Sequence, residues 1–426
     1  SSVVSDKRFS YFYGFKLDAS YQDDNLAYGF KFISPLLPNI KGLSVNPSHK
    51  HYGYKLESFK KEVTPLITAI NVENYGVVLE HKIGNGRVVF FNTGLMIDKP
   101  IRGLVFAMYL PALEGVPYPI ANVSTIYLDD FPSPVYKIMK EPIATEMGLT
   151  MADFVDKVWW PDMQKLAKEF GVNYTTTITF DYNTKVTPPF IFTEWERNKL
   201  NNSTQSLSDY FTKSVLKNKH ELGFHGFNHV SLTTSDWKNI DYISTALNTV
   251  KKKWRVEAYG ELPKSYIPPS NIIDSTGLSK LQQAMPSIKY ICSSYFGDVT
   301  VGEGREFDVD PYNNKLFDYP RITSEYAFNN QEILVKESTY LFTGIWSHFV
   351  HPDDVFQIKD ESNKETTGNY GFRNVNGYGW HISKDGSEGL YPRFKKLLVQ
   401  HKNTYPLSRY ISAQNGAPRI NKWRAA

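Results

Sequence analysis

The sequence Glu-Leu-Gly-Phe-His-Gly-Phe-Asn-His at residues 221–229 constrains this chain more than any other stretch. It reads as a short apolar strand that runs into two histidines, His225 and His229. Two imidazoles at the end of a buried strand suit a divalent metal ion, which needs further ligands. Asp129 and Asp130 follow another apolar strand and offer one. An Asp-His-His set leaves coordination positions open, as catalytic sites do, whereas structural zinc sites are closed by four protein ligands.

From residue 121 onwards, segments typical of strands alternate with segments typical of helices. The predicted strands are 123–128, 172–179, 221–225, 264–268, 288–293, 316–322 and 340–350, and helices such as 151–170 and 237–256 lie between them. About seven β/α units predict a distorted (β/α)7 barrel of parallel strands. Such a barrel carries its reactive groups where the strands end, and both candidate ligand clusters fall there.

Residues 1–120 are predicted to form a separate, smaller domain. Two β-rich runs, 75–83 and 87–91, are joined through Gly84-Asn85-Gly86, which indicates a hairpin. An apolar helix is expected over 101–110, ended by Pro111. This pattern resembles the last part of the flavodoxin-like domain of class I glutamine amidotransferases, over about residues 70–112. The resemblance implies a partial flavodoxin-like α/β fold without that family's chemistry, because no cysteine lies in this region.

Two segments of the larger domain are predicted to be loops. Residues 181–220 are rich in Asn, Thr and Lys, which favours a surface elaboration over a substrate lid. Residues 359–387 are polar, rich in glycine and interspersed with aromatic residues, which predicts a loop at the barrel mouth. A helical run ending near Trp423 is expected to complete the outer layer of the barrel.

Four short motifs follow one another in a set order, each at a predicted strand end. They are Asp129-Asp130, His225 with His229, Pro268-Pro269 and His351-Pro352. Taken together, over about residues 121–423, they resemble the polysaccharide deacetylases (carbohydrate esterase family four). The resemblance implies a barrel of the polysaccharide deacetylase type over residues 121–426.

The resemblance also implies a role for each matching residue. Asp130, His225 and His229 would bind a divalent metal ion, with Zn expected. Asp129 would act as the general base, and His351 would protonate the leaving group. The implied activity is the metal-dependent removal of acetyl groups from an N- or O-acetylated polysaccharide or oligosaccharide.

The chain departs from the family pattern at two positions. Gly226 stands where the family has a hydroxyl residue, and Ile267 stands where it has the arginine that orients the base. Arg321, at the end of a later predicted strand, is a candidate replacement for that arginine and is included among the catalytic residues. If nothing replaces it, a non-catalytic carbohydrate-binding or scaffolding protein on the same barrel becomes the better interpretation.

Four further residues are predicted to contact the substrate. Tyr370 and Trp380 would stack on sugar rings, Pro269 would line the site, and His348 would lie beside it. For His348 the competing interpretation is a core imidazole with a backbone partner, and it also competes with His351 for the role of general acid.

Composition excludes some classes of function. A net charge of +4 without a dense Lys/Arg stripe argues against nucleic acid as a partner. No run of about 18 apolar residues is present, so no membrane span is expected. The chain begins Ser-Ser without a leader, as expected of a fragment or a mature form. A polysaccharide substrate would place the protein outside the cytoplasm, secreted, periplasmic or on the cell surface.

A glycoside hydrolase is a third and weaker interpretation. It would need two carboxylates that flank one glycosidic bond. Asp129 and Asp130 are adjacent in sequence and too close together to do so.

Overall fold

The computed structural model describes residues 6–16, 19, 22–72, 74–93, 99–113, 115, 117–200, 203–358 and 373–426. The chain divides into two compact units. The smaller comprises Ser1–Ile120 with Phe328–Ile345, and the larger comprises Ala121–Ala327 with Trp346–Ala426. The sequence predicted a division after residue 120, but it left residues 328–345 in the barrel.

The described elements are numbered in chain order. The strands are β1 (Gln22–Phe32), β2 (Ser44–Gly53), β3 (Val63–Thr68), β4 (Gly76–Ile83), β5 (Gly86–Phe91), β6 (Val123–Leu128), β7 (Thr175–Thr179), β8 (Glu221–Gly226), β9 (Ser265–Tyr266), β10 (Tyr290–Ile291), β11 (Phe317–Asp318), β12 (Thr323–Ser324) and β13 (Ile345–Val350). The helices are α1 (Lys7–Tyr13), α2 (Arg102–Ala112), α3 (Ile143–Met147), α4 (Met151–Phe154), α5 (Trp160–Phe170), α6 (Leu207–Lys217), α7 (Asp241–Val256), α8 (Ser275–Ala284), α9 (Asn330–Thr343), α10 (Leu390–Thr404) and α11 (Ala413–Arg424).

The smaller unit is built on one sheet with the strand order β2-β1-β3-β4-β5. Its neighbouring strands pair antiparallel throughout the described residues. The predicted hairpin is present, with Ile83 paired to Gly86 at its turn. The flavodoxin-like fold, in contrast, is not confirmed, because such domains carry a mostly parallel sheet.

Two helices far apart in sequence, α2 and α9, cover the smaller unit's core. Leu104 of α2 and Leu334 of α9 are fully buried in one cluster with Phe30 and Ile67 of the sheet. The helices approach closely at Gly103, where an added Cβ would lie 1.7 Å from the Ser338 carbonyl oxygen. The prediction of a strand over 340–350 was therefore wrong at its start, since α9 continues to Thr343 before β13 begins.

The larger unit is a curled sheet of parallel strands, β11-β10-β9-β8-β7-β6-β13-β12. The segment 317–324 contains both edge strands. Its Tyr319 amide donates to the carbonyl group of Ile291 in β10, and its Ile322 amide donates to that of Ser347 in β13. The segment 317–324 thus hydrogen-bonds to β10 on one side and to β13 on the other. Because β11 and β12 share this one segment, the eight strands occupy seven positions in a ring. This agrees with the predicted barrel-type arrangement.

Helices and loops around this sheet fix the ends of the strands. The segment 181–220, predicted as an irregular surface elaboration, contains α6, which begins after the N-cap Ser206. At the opposite end of the barrel, α11 begins with its Ala413 and Gln414 amides bonded to Thr175 and Glu221. No helix among the described residues is long and apolar enough to cross a bilayer.

Candidate metal-centred active site

The two predicted ligand clusters meet at the carboxyl ends of neighbouring parallel strands. Asp129 and Asp130 follow the last residue of β6, and His225 lies near the end of β8. Strand β7 lies between them and pairs with both. Parallel strands end at the same edge of the sheet, so residues nearly 100 positions apart share one site.

Asp130, His225 and His229 bring their ligand atoms within 4.8 Å of one another. His225 Nε2 lies 3.6 Å from Asp130 Oδ1, and His229 Nε2 lies 3.8 Å from Asp130 Oδ2. Around one tetrahedral ion with bonds of about 2.1 Å, neighbouring ligand atoms would lie roughly 3.4 Å apart. The three residues therefore fit a single divalent ion with little rearrangement.

The backbone at this site adopts conformations that few residues tolerate. Asp130 and His229 have φ values of 49° and 51°, in the left-handed region. Gly226 has a φ of 131°, which a residue with a side chain would adopt only with strain. Such conformations concentrate at functional sites, where the surrounding structure holds them in place.

The His225 ring is held in one orientation. Its Nδ1 lies 2.8 Å from the carbonyl oxygen of Ile267. A carbonyl oxygen can only accept a hydrogen bond, so Nδ1 carries the proton and Nε2 presents its lone pair to Asp130. A histidine ligand needs this tautomer. Ile267, which replaces the expected arginine, therefore contributes its carbonyl group to the site.

Asp129 is buried among groups that favour its ionised form. Its Oδ1 accepts a 2.6 Å hydrogen bond from the Thr177 hydroxyl, and its Oδ2 accepts one from Arg321. Burial opposes ionisation, but the positive charge of Arg321, together with smaller contributions that include the Thr177 hydrogen bond, lowers the pKa of Asp129 below its ordinary value. The carboxylate is thus charged and fixed in place.

Arg321 lies between β11 and β12 and contacts Asp129, as predicted from the sequence for a replacement of the missing arginine. One end of its guanidinium donates to Asp129 and the other to the side chain of Asn271. The guanidinium also lies over the Phe349 ring, 4.1 Å from its centroid. The contact that the sequence predicted is present; its role in turnover stays a prediction.

His351 faces the same site from the end of β13. Its Nε2 lies 3.6 Å from Asp129 Oδ2, and its Nδ1 lies 3.1 Å from Asp354 Oδ2. Arg373 in turn donates to Asp354. Burial would lower the pKa of His351, but the charge and hydrogen bond of Asp354 outweigh it and raise that pKa. The imidazole is therefore suited to hold a proton and deliver it.

A pocket of about 250 Å³ adjoins the ligand cluster. Asp130 and Tyr182 line it, and the Tyr182 ring lies 5.7 Å from that of His229, centroid to centroid. The site therefore combines a ligand set, an ionised carboxylate, an imidazole and an adjoining cavity.

Two of the residues predicted to contact substrate, Trp380 and His348, lie in the protein interior. Trp380 is fully buried, with its indole N–H donated to Asp162 and its ring against Phe154. Its prediction as a stacking platform was wrong, because no face of the ring is exposed. His348 is also fully buried, as the core interpretation expected, but its ring is bonded to the side-chain hydroxyl of Thr323.

Two further substrate predictions have separate outcomes. Pro269 is buried, and its Cγ would lie 3.4 Å from a Cβ added at Gly226, so it packs under the histidine turn. Its contact with substrate is untested. Tyr370 lies outside the described residues.

Sequence reasoning missed several residues that support the site. Thr177 and Thr179 of β7 donate to Asp129 and Asp130. Their spacing of two residues places both on one face of the strand, a signal that the sequence did contain. No sequence pattern pointed to Asn271 or Arg373. Each acts through another residue, Arg321 for Asn271 and Asp354 for Arg373, that is not adjacent to it in sequence.

Comparisons with known proteins add one family and several distant structures. A family model described as an uncharacterised protein conserved in bacteria, DUF2194, matches residues 36–378. No curated protein matches the sequence.

Solved structures resemble the chain at low identity. A protein from Mycobacterium smegmatis described as a polysaccharide deacetylase is 14% identical, with a TM-score of 0.41, over 73% of this chain and 93% of that one. A family 4 acetyl xylan esterase from Clostridium thermocellum is 13% identical (TM-score 0.23; 40% and 58% covered). A CE4 family pseudoenzyme from Bacillus anthracis is 10% identical (TM-score 0.28; 55% and 56% covered). TM-scores below 0.5 leave the function to be inferred from this chain's own residues.

Proposed function

The chain belongs to the DUF2194 family of bacterial proteins, and we propose that its larger unit is a metal-dependent deacetylase acting on an N- or O-acetylated polysaccharide. One observation carries the proposal. The ligand atoms of Asp130, His225 and His229 converge within 4.8 Å, while Asp129 and His351 face the same place.

Asp130, His225 and His229 would hold the ion, with Zn expected from two nitrogen ligands and one oxygen ligand. When bound, such an ion polarises an acyl carbonyl and makes water more acidic. The remaining roles fall to the side chains around it.

Asp129 would act as the general base. It is ionised, and Arg321 and Thr177 fix its two oxygens, so it can take a proton from an attacking water without reorienting. His351 would act as the general acid. Asp354 favours the protonated form of the His351 imidazole, and that imidazole can protonate the departing sugar nitrogen or oxygen.

The non-catalytic alternative rested on the missing motif arginine. Arg321 weakens it, because its guanidinium contacts Asp129 from the segment between β11 and β12. The substrate class implies action outside the cytoplasm, which is part of the proposal.

The test combines metal analysis of the purified protein with an assay on acetylated chito- and xylo-oligosaccharides. The proposal expects bound divalent metal and acetate release without new reducing ends. New reducing ends would indicate a glycoside hydrolase. Binding of the oligosaccharide without acetate release, at any metal loading, would support the non-catalytic alternative.

A further inference from the structure

The pocket beside Asp130 is larger than removal of an acetyl group requires, and more than half of its lining residues are apolar. Its volume is about 250 Å³. A water molecule, which is close in size to a methylene group, occupies roughly 30 Å³ in the liquid. An acetyl group would add a single methyl, whereas the pocket has room for several groups of that size.

The walls of this pocket come from segments 130–136 and 352–356, from Tyr182, and from the helical turn that contains Met151 and Val155. Six of its apolar lining residues are Pro134, Val135, Met151, Val155, Pro352 and Phe356. Of these, Val155 and Phe356 are almost fully buried and therefore fixed in position by packing. An apolar chain placed here would replace water against side chains that need not move.

The pocket begins at the reacting position. Asp130 belongs both to the ligand cluster and to the pocket lining. The carboxyl of Asp353 also lines it and lies 3.2 Å from Arg373 Nη1, so its charge has a partner. An acyl carbonyl held near Asp130 would therefore direct its alkyl chain along the apolar walls.

We propose that this site hydrolyses acyl groups longer than acetyl, with four to eight carbons, from an N- or O-acylated sugar. The inference rests on the proposed function and specifies its substrate. Hydrolysis breaks the bond between the acyl carbon and the sugar nitrogen or oxygen. Water supplies a hydroxyl to the acyl carbon and a proton to the leaving atom.

The test compares kcat/KM of the metal-loaded full chain for 4-nitrophenyl acetate, butyrate and hexanoate, with Asp129→Asn as the background. Each buried methylene favours the longer ester roughly fourfold, from the transfer free energy of a methylene group. Butyrate, with two more methylenes, is therefore expected to exceed acetate by about 16-fold if both are buried, and hexanoate to exceed butyrate again. Equal values, or a preference for acetate, would overturn the inference while leaving a deacetylase in place.

Filling the pocket supplies the matched variants. Met151→Trp, at a partly exposed position, should lower the hexanoate-to-acetate ratio about tenfold or more, and Val155→Phe should act in the same direction if the first variant fails to fold. Val256→Trp, at a residue that is 73% exposed on α7, should leave the ratio unchanged. An unchanged ratio in both folded pocket variants would contradict the inference.

Calorimetric titration with hexanoate and acetate anions separates the two proposals. If no ester is hydrolysed but hexanoate binds more tightly than acetate and Met151→Trp removes the difference, the pocket assignment holds and the proposed function fails. If hexanoate shows no preference over acetate, the pocket assignment fails whatever the activity.

Discussion

Two buried carboxylate clusters lie at opposite ends of one barrel, and they differ in how their oxygens are satisfied. Glu221, the first residue of β8, accepts hydrogen bonds from Ser265 at 2.5 Å, Thr175 at 3.0 Å and the Gln414 amide at 2.9 Å. Asp130, beyond the end of β6, lies 3.6 Å and 3.8 Å from two imidazole nitrogens, too far for hydrogen bonds. The first cluster is closed, and the second leaves room for an ion.

Electrostatics separate the clusters in the same way. Burial raises the pKa of Glu221, and its neutral donors only partly offset that effect. The pKa of Asp130 is lowered, because its interactions with the neighbouring imidazoles of His225 and His229 outweigh burial. A buried acid that binds the ends of other elements stabilises the fold, whereas one surrounded by histidines is prepared for chemistry.

The largest expected effect is the loss of metal from the open cluster. His225→Ala and His229→Ala should each weaken metal binding by at least about 100-fold, since even partners outside the ligand set contribute 10–100-fold. His220→Ala, which removes a buried histidine of the same barrel outside the cluster, should retain the metal. Metal analysis after dialysis measures both. If both ligand variants kept the wild-type metal content, the Asp130 cluster would have a structural role, like the Glu221 cluster, and would not be a metal site.

Asp129→Asn tests the base separately from the ligands. The variant should keep its metal, because Asp130, His225 and His229 remain, and should lose roughly 10²–10⁴ in turnover, as expected for a general base. Metal content and acetate release are measured on the same sample. Loss of metal together with activity would mean that Asp129 and Asp130 bind the ion jointly.

Arg321→Ala should have a smaller effect than loss of the base. The Asp129 carboxylate would remain but lose its orientation, and a misplaced catalytic group can cost about 10²-fold. Arg321→Lys should recover only part of the activity, because an ammonium cannot donate to Asp129 and Asn271 with the geometry of a planar guanidinium. Turnover equal to wild type in both variants would remove Arg321 from the site.

The sequence predicted the ligand cluster because its residues lie at the ends of apolar strands or shortly after them, and parallel strands end at the same edge. Arg321 was a weaker prediction, since 192 residues separate it from Asp129 and only the closed ring brings them together. Trp380 was misassigned because a glycine-rich segment normally lies at the surface. Here the backbone amide of Trp380 donates to Glu146 and its indole N–H donates to Asp162, and these bonds hold the ring in the interior.

The smaller unit was harder to predict for a related reason. Its antiparallel sheet is recognisable in sequence only at the β4–β5 hairpin, where pairing is local. Helix α9, which completes its core, comes from a segment between two barrel strands. A pattern confined to 70–112 could not indicate that partner.

Glu221→Gln makes the smallest change and tests the closed cluster directly. In the folded protein the pKa of Glu221 is raised above its ordinary value of 4.5. Between those two pKa values the folded state binds more protons than the unfolded state, so stability falls as pH rises. The stabilising contribution is thus full below pH 4.5 and is lost as pH rises through the folded pKa.

The amide of Glu221→Gln does not titrate, so this part of the pH dependence should vanish. If the NH₂ group of the new glutamine faces the hydroxyl donors of Thr175 or Ser265, the free energy of unfolding of the variant should be about 1–3 kcal/mol below that of the wild type at acidic pH. That deficit should shrink as pH rises and the wild-type carboxyl ionises. Urea unfolding of both proteins between pH 4.5 and 7.5 measures it, and the metal content should not change. Parallel stability curves would show that Glu221 ionises as freely in the folded barrel as in the unfolded chain, and that the two clusters differ in geometry alone.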